Sequence, residues 1–131
     1  MNEKRGEFLA LAEQYRRRLE LCLRLEGKQS FLRQRMAQLR AQHDPRTRAI
    51  IPIVNEQLRQ LGDRLWQEQG KLALSAKCLA EEIAKLRDER SAQILRCRYL
   101  ELMPWNDISD LTGVGVRWLH RLHNKALERL G

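Results

Sequence analysis

Apolar residues recur along the chain at helical spacing. Phe8, Ala12, Tyr15, Leu19 and Cys22 are separated by 4, 3, 4 and 3 residues, the inner stripe of a heptad. Glu26 and Gly27 interrupt the stripe, which resumes at Leu32, Met36 and Leu39. The pattern predicts a helix from about Glu3 to Gln42, with a bend near Gly27, because Gly inside a helix costs about 1 kcal/mol relative to Ala. His43-Asp44-Pro45-Arg46-Thr47 then breaks the periodicity. Asp followed by Pro suits a helix start: a capping oxygen, then a residue whose missing N–H is not needed. Pro52 would fall inside a helix begun at Pro45 and remove a hydrogen bond there. A short turn at 45–50 and a long helix from about Ile51 resolve the conflict.

The second long segment is the most regular. Ile51, Leu58, Leu65, Leu72, Leu79 and Leu86 recur every seven residues, with Val54, Leu61, Glu68, Ser75 and Glu82 as mixed companions. Two helices of about 37 residues, each about 55 Å long, joined by a short connection, fit an antiparallel hairpin. A parallel dimer through the Leu heptads uses the same stripe, so the pattern leaves open whether this core forms within one chain or between two. From about Asp88 the segments shorten. Residues 90–101 predict one helix, which Met103-Pro104 ends. A second opens at Pro104 or Trp105 and carries Trp105, Ile108 and Leu111 on one face. Thr112-Gly113-Val114-Gly115 is a tight turn. A third helix carries Leu119, Leu122, Ala126 and Leu127 inward, with Leu130 near its end. This is a helix-turn-helix pattern. Residues 1–88 are therefore expected to form a long helical, coiled-coil-like arm, and residues 89–131 a helix-turn-helix domain.

Composition supports the all-α reading. The 131 residues include 23 Leu but only 11 Val, Ile and Thr together, whereas strands draw on β-branched residues. The longest apolar run, Ala49 to Val54, is six residues interrupted by Pro52, far below the roughly 20 that span a membrane. No apolar signal-peptide core follows Glu3, Lys4, Arg5 and Glu7. Cys22, Cys78 and Cys97 are distant and odd in number, which points to unpaired thiols and a cytoplasmic setting. Net charge is +8, and 19 of the 25 cations are Arg, whose planar fork suits phosphate and guanine. Residues 1–44 carry +4 and the two later thirds +2 each, so basicity alone locates no nucleic-acid face. His120 and His123, three apart, lack a third metal ligand nearby. No phosphate-cradling Gly loop or catalytic constellation occurs, so neither a cofactor nor an enzymatic activity is expected. Trp66 and Trp105 are read as packing residues, and Trp118 as lying on the exposed side.

Residues 86–130 resemble sigma factor region 4. The resemblance rests on Leu86 to Arg90, Ile94-Leu95-Arg96-Cys97-Arg98-Tyr99, Trp105-Asn106-Asp107-Ile108, the turn through Gly115, and Leu119, Leu122, Lys125-Ala126-Leu127 and Leu130. From Ile50 to Leu130 the chain is similar to small phage-encoded proteins that join a helical N-terminal region to a region-4-like C-terminus. These are described as ArpU- or RinA-like regulators of late phage transcription. The resemblance implies a sequence-specific regulator that binds double-stranded DNA, with RNA polymerase as a further partner and the arm available for homodimerisation. It places Val116, Arg117, Trp118, His120, Arg121, Asn124 and Lys125 at the DNA. Arg117 and Arg121 would reach base edges, since bidentate Arg to guanine is the commonest specific contact. Val116 would touch a thymine methyl. Lys125 and Arg129, on the same ridge, would meet phosphate, as would Arg96 and Arg98. Where the family has Ser or Thr at the reading helix's cap, this chain has Gly115. No sigma region 2 is recognisable. The alternative is a helical interaction module, or a DNA-packaging adaptor, without promoter-specific binding.

Overall fold

A computed structural model describes residues 3–130, and among them every regular element is a helix. In order these are α1 (Glu3–Ala41), α2 (Pro45–Arg48), α3 (Ile51–Ala84), α4 (Glu89–Leu95), a π-helical turn (Arg96–Leu100), α5 (Trp105–Thr112) and α6 (Val116–Arg129). No helix is long and apolar enough to cross a membrane.

The long elements follow the heptad stripes, with one correction. The stripe of α1 is not interrupted at Glu26 and Gly27, which sit at exposed positions of a continuous helix. Leu25, only 3% exposed, and half-buried Gln29 carry the seam from Cys22 on to Leu32. At the connection Asp44 caps α2: its Oδ1 accepts from the Arg46 N–H at 2.9 Å, and the Thr47 hydroxyl donates to the Asp44 carbonyl at 2.8 Å. Helix α3 begins at Ile51, so Pro52 lies in the first turn, where its missing N–H leaves no bond unmade.

The chain gathers into two compact units. One comprises residues 17–72. In it Cys22, Leu25 and Leu65 form a buried cluster, and Met36, Leu39 and Val54 form a second. Early residues of α1 pair with late ones of α3 and the reverse, so the two helices run antiparallel and share their seam within one chain. Trp66 contradicts its expected packing role. It is 78% exposed, because its place on α3 lies far round from the stripe of Leu58, Leu65 and Leu72.

The other unit comprises the residues up to Arg16 and those from Ala73 onward. Phe8 and Ala12 of α1, Leu79 and Ile83 of α3, Ala92 and Leu95 of α4, and Ala126 and Leu127 of α6 make one buried cluster. Ile94, Cys97, Ile108 and Leu119 make a second, closed by Met103, Trp105, Val114 and Leu122. Adjacent residues Ile94 and Leu95 thus serve opposite clusters, and α4 is buried on both sides. Burying one such side chain stabilises the fold by about 1.5–3 kcal/mol.

Two local expectations are corrected here. The helix expected over 90–101 is present and runs without a break from Glu89 to Leu100, but its last five residues form a widened turn, with the Glu101 N–H bonded to the Arg96 carbonyl at 3.0 Å and the Met103 N–H to the Cys97 carbonyl at 2.9 Å. Leu102 then takes φ 55°, a left-handed conformation costly for a side chain with a Cβ. The widened turn lets Tyr99 and Leu100 pack on the first cluster while Cys97 stays in the second. Leu111 does not join Trp105 and Ile108 inside. It is 59% exposed, one turn further round α5 than the buried stripe reaches.

Candidate nucleic-acid interface

Helix α6 is fixed at its start by a stitched turn. Gly113 ends α5 at φ 73°, the left-handed region that suits glycine, and its N–H bonds to the Ser109 carbonyl at 2.8 Å. The Ser109 hydroxyl donates to the Val114 carbonyl at 2.6 Å. The Thr112 hydroxyl donates to the Ile108 carbonyl at 2.8 Å and accepts from the Val114 N–H at 3.3 Å. Gly115 stands at the cap of α6 and offers no side-chain acceptor. Two hydroxyls, six and three residues before Gly115, therefore fix Val114 at the entry to α6, while the first N–H groups of α6 have no side-chain cap.

The inner face of α6 is anchored by Leu119, Ala126 and Leu127. The opposite face is open. At 100° per residue, Arg117, Trp118, Asn124 and Lys125 all lie within about 60° of Arg121, and all five are exposed. The Arg121 guanidinium lies 5.8 Å from the Trp118 ring centre, and Trp118 is 49% exposed. Arg117, Arg121 and Lys125 make no ion pair among the described residues. Glu128, on the same face, is the one acid there.

The remaining expected residues are placed differently. Val116 is half-buried and points well away from the Arg121 direction. His120, though exposed, leans on Trp105, with ring centres 4.5 Å apart. Arg129 is not a free phosphate contact: its Nη1 sits 3.1 Å from Asp88 Oδ2 and 3.3 Å from Ser91 Oγ. Asp88 caps α4, and the Ser91 hydroxyl, the Arg90 and Ser91 N–H groups and Arg129 hold its carboxyl below the usual carboxylate range. Arg96 pairs with Glu89 at 2.6 Å. Arg98 donates to the Met103 carbonyl at 3.0 Å, with its guanidinium 4.7 Å from the Trp105 ring centre. These three arginines are engaged around α4 and the widened turn, whereas Arg117, Arg121 and Lys125 are not.

Sequence reasoning missed the aromatic relay behind this face. Phe8 meets Tyr99 edge-on at 5.3 Å, Tyr99 stacks on His123 at 5.7 Å, and Trp105 meets His123 at 5.0 Å. The Tyr99 hydroxyl lies 2.7 Å from His123 Nε2. Burial, then Arg5, Arg98 and His120, lower the His123 pKa to about 4, against a hydrogen bond with Asn124 that raises it. Neutral His123 shares one proton between its two ring nitrogens, and with that proton on Nδ1 its Nε2 accepts from the Tyr99 hydroxyl. His120 and His123 both turn to Trp105, and no cluster of three metal-ligating side chains occurs among the described residues. The spacing of 120 and 123 was the available signal, since residues three apart share a helix face. Compared with protein-family models, curated proteins and solved structures, the chain has no significant match in any of the three.

Proposed function

We propose that the chain is a sequence-specific, DNA-binding transcriptional regulator of the phage type, and that α5 and α6 act as its helix-turn-helix. The observation that carries this reading is the outer face of α6: Arg117, Arg121 and Lys125, without ion pairs among the described residues, on a helix whose other face is buried. A helix of 14 residues is about 21 Å long and fits the major groove, which is about 12 Å wide. Arg117 and Arg121 read base edges, Lys125 neutralises phosphate, and Trp118 packs on sugar while steadying Arg121. RNA polymerase is the second partner in this reading, and the work done is binding rather than catalysis.

The alternative, a helical interaction or packaging adaptor, draws on the charge distribution. Residues 17–72 hold twelve Lys and Arg against six Asp and Glu, which is +6 of the total +8. One titration separates the two. Duplex fragments from the surrounding genome are titrated with the protein in about 50–200 mM salt, where phosphate contacts weaken steeply. We expect one fragment to bind tightly, and Arg117→Ala/Arg121→Ala to lose at least about tenfold, given about 1–3 kcal/mol per bidentate contact. Equal weak binding to every fragment, unchanged by the double substitution, would sink the reading.

A further inference from the structure

Within the unit of residues 17–72, α1 and α3 leave a groove of about 470 Å³ on one side of their seam, and its lining is unusual for a solvated surface. The floor is apolar: Leu32 and Leu61 are half-buried, and Phe31 stands open above them at 64% exposure. Phe31 lies off the α1 seam, so the heptad does not need it. Lys28 borders the groove on the α1 side and Arg64 on the α3 side, and exposed Gln57 and Gln60 of α3 complete the lining. Neither Lys28 nor Arg64 makes an ion pair or side-chain hydrogen bond among the described residues, whereas Arg59 one turn from Arg64 pairs with both Glu56 and Asp63. From Arg24 to Arg48 there are seven cations and two acids. Both acids are engaged: Glu26 accepts from Gln69, and Asp44 caps α2.

We infer that this groove is a docking site for an acidic amphipathic helix of a partner protein. Two antiparallel helices with an apolar trough between them offer the seat that a third helix fills in a bundle. Phe31, Leu32 and Leu61 take the partner's apolar residues at i, i+3 or i+4 and i+7. Lys28 and Arg64, one on each rim, require carboxylates flanking that stripe on both sides. Charge argues against a second copy of the chain, because the groove's two cations and no acids would face the same two cations, on units of +6 each. The apolar floor argues against a phosphate backbone, which has no apolar face to seat there. The inference is independent of DNA reading by α6, and Arg117→Ala/Arg121→Ala leaves the groove intact.

The test is a display selection on the full chain. The library holds helical peptides of about 18 residues, about 27 Å long, with Leu and Phe on one stripe. The flanking positions vary among Glu, Gln and Lys. Glu-rich peptides are expected to be enriched. Their affinity is expected to fall at least about tenfold, or 1.4 kcal/mol, in Lys28→Glu/Arg64→Glu and likewise in Phe31→Ser. These side chains are exposed, and an unchanged circular-dichroism melt shows that each variant is folded. The charge-reversed variant is expected to recover binding to the Lys-flanked version of the same peptide. No enrichment, enrichment of Lys-rich or neutral flanks, or displacement of the peptide by duplex DNA would each overturn the inference.

Discussion

His123 carries a pH dependence whose sign follows from its surroundings. Burial and the Arg5 and Arg98 charges hold its folded pKa near 4, below the 6.5 of an unhindered imidazole. Between those values the unfolded chain binds a proton that the native chain refuses. Stability is then higher at neutral pH and falls as pH drops from about 6.5 through about 4. Protonation makes both ring nitrogens donors, so the Tyr99 oxygen must then accept from Nε2. Thermal melts between about pH 7 and pH 4.5 should show a steeper loss of Tm in the wild type than in His123→Gln, which keeps a polar group but cannot titrate. Parallel slopes would mean that His123 is solvated. Elsewhere at this scale the buried aliphatics dominate. Ile94 and Leu119 are fully buried in one small cluster, so truncating either to Ala should cost about 2–5 kcal/mol in denaturant unfolding.

The turn before α6 shows how two glycines two residues apart differ. Gly113 is at φ 73°, where a Cβ is strained whatever the space around it, so Gly113→Ala should destabilise by about 1 kcal/mol. Gly115 is at φ −60°, and a Cβ there meets nothing within 4 Å. Gly115→Ser supplies the missing capping acceptor and should stabilise by a few tenths of a kcal/mol. Opposite signs in urea titrations of the two variants check the assignment, and equal signs would refute it. The same elements show what periodicity can and cannot predict. Asp44-Pro45 with Pro52 predicted both a short turn at 45–50, where the structure has α2, and the start of α3, because proline and capping rules act within one turn. The Leu heptad located the α3 seam but not its partner. Only residues such as Leu25 against Leu65 show that the chain pairs with itself. The π-helical turn had no signal, since it exists to reconcile two clusters built from distant residues. The Arg ridge of α6 was legible from its spacing of four. The capture of Arg129 by Asp88, forty-one residues earlier, was not, because it depends on how α6 packs beside α4.

At the scale of the whole molecule, the C-terminal helices are not self-sufficient. Residues 89–130 supply Ala92, Leu95, Ala126 and Leu127 to a cluster whose remaining members, Phe8, Ala12, Leu79 and Ile83, come from the long helices. Tyr99 likewise meets Phe8, and the Tyr15 hydroxyl donates to the Leu100 carbonyl at 3.3 Å. A fragment of residues 86–131 would expose one side of α4 and the inner face of α6 at once. It would retain only the cluster around Ile94, Ile108 and Leu119, and chains near 40 residues rarely bury enough to fold without a disulfide, metal or partner. The fragment should therefore lack a cooperative thermal transition, and the full chain should show one. Adding a peptide of residues 3–16 alone should not restore the transition, because Leu79 and Ile83 are still missing. A fragment spanning residues 73–131 mixed with that peptide supplies all eight side chains of the cluster and should recover helicity on mixing. Cooperative unfolding of residues 86–131 by themselves would show that α5 and α6 need no support from α1 and α3, and that the packing of Phe8 against Tyr99 adds little.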